Sequence, residues 1–169
     1  MSLERIADKV IEADVLVVGG GITGCPVAIK AKEQGLNVVL LEKAKLERSG
    51  SAGAGIDHFD GLFPRDGMTA VELAMRHDQR AITGNGGQFQ DMNLKYKLID
   101  QAFYVLDELE RFGVTMKWFN DQYYWLPLSH LGHPLSRVSL RVHWTNVKPE
   151  MARAVRKSGV DVLDRTMLV

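Results

Sequence analysis

Apolar residues fall in short blocks along this chain, and the changing period of those blocks predicts an order of elements. Asp14-Val15-Leu16-Val17-Val18 is an apolar run of strand length. It breaks at Gly19-Gly20-Gly21-Ile22-Thr23-Gly24, and a helix-like segment over 22–34 follows, ended by Gly35. Pro26 sits early in that helix, where a missing N–H costs little. A second apolar run, Val38-Val39-Leu40-Leu41, predicts a strand over 37–42 that stops at Glu42. Residues 1–13 are a polar, helical lead-in.

Residues 43–67 show no regular period and read as a long irregular segment. A helix is expected over 68–82, capped by Asp66 and ended by Gly84-Asn85-Gly86-Gly87. A longer one over 91–112 carries Leu94, Leu98, Phe103, Leu106 and Leu109 at helical intervals, with Gly113 as its stop. Phe103, Leu106 and Leu109 are expected in the core. Two aromatic runs flank Asn120-Asp121, which reads as a β-hairpin over 114–126. Residues 127–144 read as a loop with short extended pieces. Pro149 opens a last helix to Ser158, and Val160-Asp161-Val162-Leu163 resembles a strand.

A strand, a glycine turn, a helix, a strand and an acid, in that order, form the pattern of a dinucleotide site in an α/β, Rossmann-like fold with a parallel sheet. Gly19 permits the tight turn, Gly21 lets a pyrophosphate approach bare backbone, and Gly24 lets the helix lie close to the strand. The first helical N–H groups and the helix dipole favour the anion. Glu42 is expected to accept hydrogen bonds from an adenosine ribose, and it disfavours a 2′-phosphate. The same pattern also suits a nucleotide-free α/β domain with a glycine turn, or an NAD-binding domain.

Composition narrows the classes. The 169 residues are 46% hydrophobic and 25% charged, as in one domain with a real core. Lys plus Arg and Asp plus Glu are each 21, so no basic excess points to nucleic acid or an anionic membrane. Apolar runs fall short of the roughly 20 residues of a membrane span, and the first residues lack the pattern of a signal peptide. Cys25 is the single cysteine, so no internal disulfide forms, and a cytoplasmic location is expected. Next to the helix start, Cys25 reads either as a reactive thiol or as a small residue packed under the cofactor.

Four blocks together resemble the flavoprotein family of fumarate reductases and succinate dehydrogenases. They are Asp14 to Gly24, Leu41-Glu42-Lys43-Ala44, the loop Arg48-Ser49-Gly50-Ser51-Ala52-Gly53-Ala54-Gly55, and Phe112-Gly113-Val114 followed by the aromatic hairpin. Glu42-Lys43-Ala44 leading to Arg48-Ser49-Gly50 looks most like the adenylylsulfate reductase α subunits. The resemblance implies FAD rather than NAD. It implies that Gly19, Gly21, Gly24, Glu42, Lys43, Ser49, Gly50, Ala54 and Gly55 touch the cofactor, within a βαβ unit over 14–42 and a flavin loop over 43–61. Gly53-Ala54-Gly55 is expected to offer N–H groups to the flavin ring. Some members attach FAD through a histidine in the third block; none lies between Lys43 and Gly55, so a noncovalent flavin is expected. The resemblance also implies a small anionic substrate and an iron–sulfur electron-transfer partner.

Family chains are several times longer and draw their substrate-binding residues from later parts. The whole chain, 1–169, is therefore expected to be the N-terminal portion of an FAD-binding domain: a fragment, or one subunit of a split enzyme. A noncatalytic nucleotide-binding or scaffold module, inactive alone, is the alternative. His58 is the candidate for proton donation at the flavin edge, though a histidine there also serves as a structural hydrogen-bonding residue. His130, His133 and His143 lack the spacing of a metal site, and no metal is expected. Arg137, Arg141 and His143 either line an anion pocket or are solvated.

Overall fold

Strand β1 (Val15–Val18) runs parallel to β2 (Val38–Glu42), in the register Val15 to Val38 through Val18 to Leu41. The structure is a computed structural model that describes residues 9–56, 58–64, 67–81, 91–125, 136–142 and 147–169. It divides into two units, Met1–Gly55 with Lys148–Val169, and Ile56–Val147.

In the first unit, helix α1 (Gly24–Glu33) carries the chain from β1 to β2 and packs on both. It buries Cys25, Ala28 and Ile29. Lys30 and Lys32 in its last turn complement the helix dipole. Gly35, at φ 82°, closes it by donating to Lys32 O. Helix α5 (Val147–Lys157) leads into β6 (Asp161–Asp164), which adds to β2 in parallel and gives the order β1-β2-β6. Val17 and Leu40, register partners on one face, are buried; Leu16 and Val18 alternate to the other face and are exposed. Arg156 of α5 ties Asp164 at 3.0 Å and Glu47 at 3.4 Å.

The second unit is antiparallel, with β5 (Ser136–Arg141) between β3 (His58–Pro64) and β4 (Tyr124–Trp125). The buried Phe63 lies edge-on to Phe103 at 5.5 Å and to Trp125 at 5.1 Å. Helix α2 (Ala70–Ala81) starts at a capping box: Glu72 N donates to Thr69 Oγ1, and Thr69 N donates to Glu72 Oε2. Helices α3 (Met92–Asp100) and α4 (Ala102–Arg111) follow, and Leu73, Ala74 and Ile99 form a small core.

Several expectations change here. Residues 58–64 are a strand, not part of an irregular segment; a register shift between Asp60 and Phe63 breaks the alternation that marks strands in sequence. The helix over 91–112 is interrupted at Gln101. Leu94 and Leu98 are exposed, while Lys95 and Ile99 one step around the helix are buried. Leu106 and Leu109 are core as expected, whereas Phe103 is partly exposed at the edge of the aromatic cluster. The Asn120-Asp121 turn forms, both residues at φ 57°, but its ladder is the single Lys117–Tyr123 bridge, and β4 pairs instead with β5. Asp66, the Gly84-to-Gly87 stop, and His130, His133 and His143 lie outside the described residues.

Candidate dinucleotide site

The glycine turn leaves the carboxyl end of β1, and each of its glycines meets a different constraint. Gly19 N donates to Leu41 O at 2.8 Å, and its φ of 95° is one that side chains resist. A Cβ on Gly24 falls 1.9 Å from Gly19 O, so the helix lies on the strand only because residue 24 lacks one. A Cβ on Gly21 meets, among the described residues, only Gly50 Cα at 3.8 Å, an ordinary contact. Among the described residues, therefore, nothing gives a reason for a glycine at position 21, whereas a ligand resting on its backbone does.

Glu42 ends β2 under this turn. It is 6% exposed. Its Oε2 accepts Gly20 N at 2.6 Å and its Oε1 accepts Ala44 N at 2.8 Å. Burial alone raises a carboxyl pKa; here the N–H groups of Ala44 and Gly20, the Lys148 charge and the Ser49 hydroxyl outweigh it and hold Glu42 below its ordinary value. Glu42 is thus ionised at neutral pH. A carboxylate offers about four acceptor positions, so it retains capacity for ligand hydroxyls.

The 43–55 segment splits into two roles. Lys43 is exposed and borders an open cleft of about 220 Å³, shared with Val18, Gly19, Leu41, Glu42 and Thr166 to Leu168. Thr166 N donates to Glu42 O at 2.9 Å, which brings these last residues to the end of β2. Ser49 is buried, and its hydroxyl donates to Gly20 O at 2.7 Å, so it braces the turn from beneath. Gly50 has φ 72°, and a Cβ there falls 2.9 Å from Gly21 Cα. Ala54 and Gly55 are exposed at the end of a 3-10 turn over Ser51–Ala54. That turn already engages two of the expected flavin donors: Gly53 N donates to Gly50 O and Gly55 N to Ala52 O, both at 3.0 Å.

The structure therefore gathers Gly19, Gly21, Gly24, Glu42, Lys43, Ser49 and Gly50 at one end of β1 and β2, with Gly24 and Ser49 turned inward. His58 belongs to the other unit, exposed on β3 opposite Arg141. Cys25 is fully buried, and burial pushes its thiol up; the nearby Lys148 charge opposes this and Glu42 adds to it. The neutral, packed thiol fits the reading of a small residue beneath the site.

Two features escaped the sequence. Lys148, from the first turn of α5, is 2% exposed. It donates to Gly20 O and reaches Cys25 Sγ at 3.5 Å. No periodicity marks it. Thr166 to Leu168 follow β6, where the rule that ligands bind at the carboxyl ends of parallel strands would have found them.

Among the described residues no group of three or more His, Cys, Asp or Glu side chains converges as a metal site, and no helix is long and apolar enough to cross a membrane.

Residues 14–169 match the family described as FAD binding domain. Over 109 residues the chain is 29% identical to a fumarate reductase (CoM/CoB) subunit of Methanothermobacter marburgensis, covering 62% of this chain and 19% of that protein. Its fold is similar to that of adenylylsulfate reductase from Archaeoglobus fulgidus, with a TM-score of 0.68 and 23% identity over 93% of this chain and 24% of that one. It is also similar to the Sdh1 complex of Mycobacterium smegmatis, at a TM-score of 0.64 and 16% identity over 90% of this chain and 27% of that one. The chain thus spans a fifth to roughly a quarter of the length of these relatives. The bare Gly21 backbone, the ionised Glu42 and the open cleft at the ends of β1 and β2 fit the cofactor of the matched family. On the match over 14–169, the chain belongs to the FAD binding domain family.

Proposed function

We propose that this chain binds FAD noncovalently at the carboxyl ends of β1 and β2 and, as part of a larger flavoprotein, serves electron transfer between the flavin and a small anionic substrate. The observation that carries the reading is the pairing of an ionised Glu42, held by two backbone N–H groups, with a turn whose Gly21 meets no obstacle to a side chain among the described residues. In this assignment Gly21 N–H faces the diphosphate, Glu42 takes the ribose hydroxyls, and Lys43 borders the adenosine side. Gly19, Gly24, Ser49 and Gly50 hold the turn in shape, while Ala54 and Gly55 approach the flavin. FAD, when bound, supplies reversible two-electron chemistry.

The likeness to a protein named as part of a fumarate reductase supports a dicarboxylate or a comparable small anion as substrate. The resemblance to components of multi-subunit reductases favours an iron–sulfur partner, and a cytoplasmic setting goes with it.

The visible spectrum of the purified chain, followed by FAD uptake and reductive titration, tests this. Flavin bands that bleach with a reductant and return with an acceptor support it. Flavin uptake without electron transfer to any acceptor leaves a noncatalytic binding module, and a colourless chain that takes up NAD but not FAD removes the proposal.

A further inference from the structure

Lys148 is a buried charge that the dinucleotide reading does not use. Its Nζ donates to Gly20 O across 128 positions of sequence. The same oxygen accepts Ser49 Oγ at 2.7 Å and Cys25 Sγ at 3.2 Å, while Gly20 N–H is held by Glu42. Both polar groups of one residue are thus fastened to buried side chains. A trans peptide is planar, and its C=O and N–H point in opposite directions. With the Gly20 oxygen drawn into the protein, the Gly21 N–H points away from the buried cluster. A cation on a carbonyl also polarises its peptide unit, which makes the N–H at the other end a stronger donor. The ionised Glu42 nearby offsets the Lys148 charge, as a buried cation requires. What reaches the ligand side is therefore an oriented dipole with a short range.

We infer that Lys148 is a positioning residue for the diphosphate of the bound dinucleotide, aiming and strengthening the Gly21 N–H through the Gly20–Gly21 peptide. This rests on the FAD reading above and extends the site to α5. Its mark is selectivity: the effect falls on ligands that carry a diphosphate and spares those that carry only adenosine.

The test is calorimetric titration of the full chain with FAD, ADP and adenosine, for wild type, K148M and K148Q, with a proton–nitrogen NMR spectrum of each ligand-free protein. In K148M the Kd for FAD and ADP is expected to rise about tenfold, the scale of one charge-assisted hydrogen bond. Adenosine affinity is expected to stay within about twofold, and the Gly21 amide proton to move upfield as its peptide loses polarisation. K148Q keeps a donor for Gly20 O without the charge and is expected to fall between; should K148M fail to fold, K148Q and its Gly21 resonance decide. Unchanged ADP affinity, or equal losses for ADP and adenosine, overturns the inference and leaves FAD binding standing. A wild type that binds neither FAD nor ADP overturns the FAD reading and this inference with it.

Discussion

Gly20 N and Glu42 Oε2 lie 2.6 Å apart, so the turn that ends β1 and the acid that ends β2 form one hydrogen-bonded unit. The carboxylate holds the turn, and in the proposed function its remaining lone pairs serve the ribose hydroxyls.

Glu42→Gln separates these roles from charge. The amide keeps one acceptor oxygen but cannot serve Gly20 and Ala44 as an anion does. FAD affinity is expected to fall by about 1–3 kcal/mol, the scale of a charge-assisted hydrogen bond. Fluorescence titration of the two proteins checks this, and equal Kd values speak against a ribose role.

Acid titration gives a second reading of the same residue. The native pKa of Glu42 lies below its unfolded value of about 4.3. The ionised form thus favours the folded state above that pH, and the contribution is lost as pH falls through the depressed native value. Glu42→Gln is expected to lose Tm less steeply than wild type below about pH 4.3. Parallel acid limbs contradict the assignment.

Gly24 and Gly21 predict opposite phenotypes. Gly24→Ala puts a carbon 1.9 Å from Gly19 O and is expected to destabilise the fold by about 1–3 kcal/mol, the cost of overpacking. Gly21→Ala meets only an ordinary contact, so Tm is expected to hold while FAD affinity drops; Gly21→Val is expected to abolish uptake. Melting curves beside FAD titrations read the split, and wild-type affinity in Gly21→Val contradicts the placement of the diphosphate.

Thr69→Ala provides the contrast from the second unit. It removes the capping box of α2 and is expected to cost about 1 kcal/mol of stability. FAD affinity is expected to stay unchanged. An affinity loss beyond what the lower stability explains runs against a site confined to the first unit.

The parts that were legible in sequence are those whose chemistry is local. The β1 turn, α1 and β2 occupy Val15 to Glu42, and each glycine and the terminal acid sit beside the element they punctuate. The capping box at Thr69 and Glu72 was equally local, yet Asp66 drew the cap three positions early. Strand β3 was hidden because Asp60, Gly61 and Pro64 are poor strand formers and its partner β5 lies far along the chain. The alternation Val138, Leu140, Val142 was the available signal for that partner. Leu94 and Leu98 fit a helical stripe as well as Lys95 and Ile99 do, and only the packing of Ile99 with Leu73 and Ala74 selects the face. Lys148 was invisible because a lysine before a proline has no pattern of its own; its meaning comes from a contact with Gly20.

A crystal structure of the chain with FAD is the most direct measurement. The diphosphate is expected against the Gly21 backbone and the ribose hydroxyls on the Glu42 carboxylate. Density that puts the diphosphate elsewhere, with the Gly21 surface left to solvent, contradicts it.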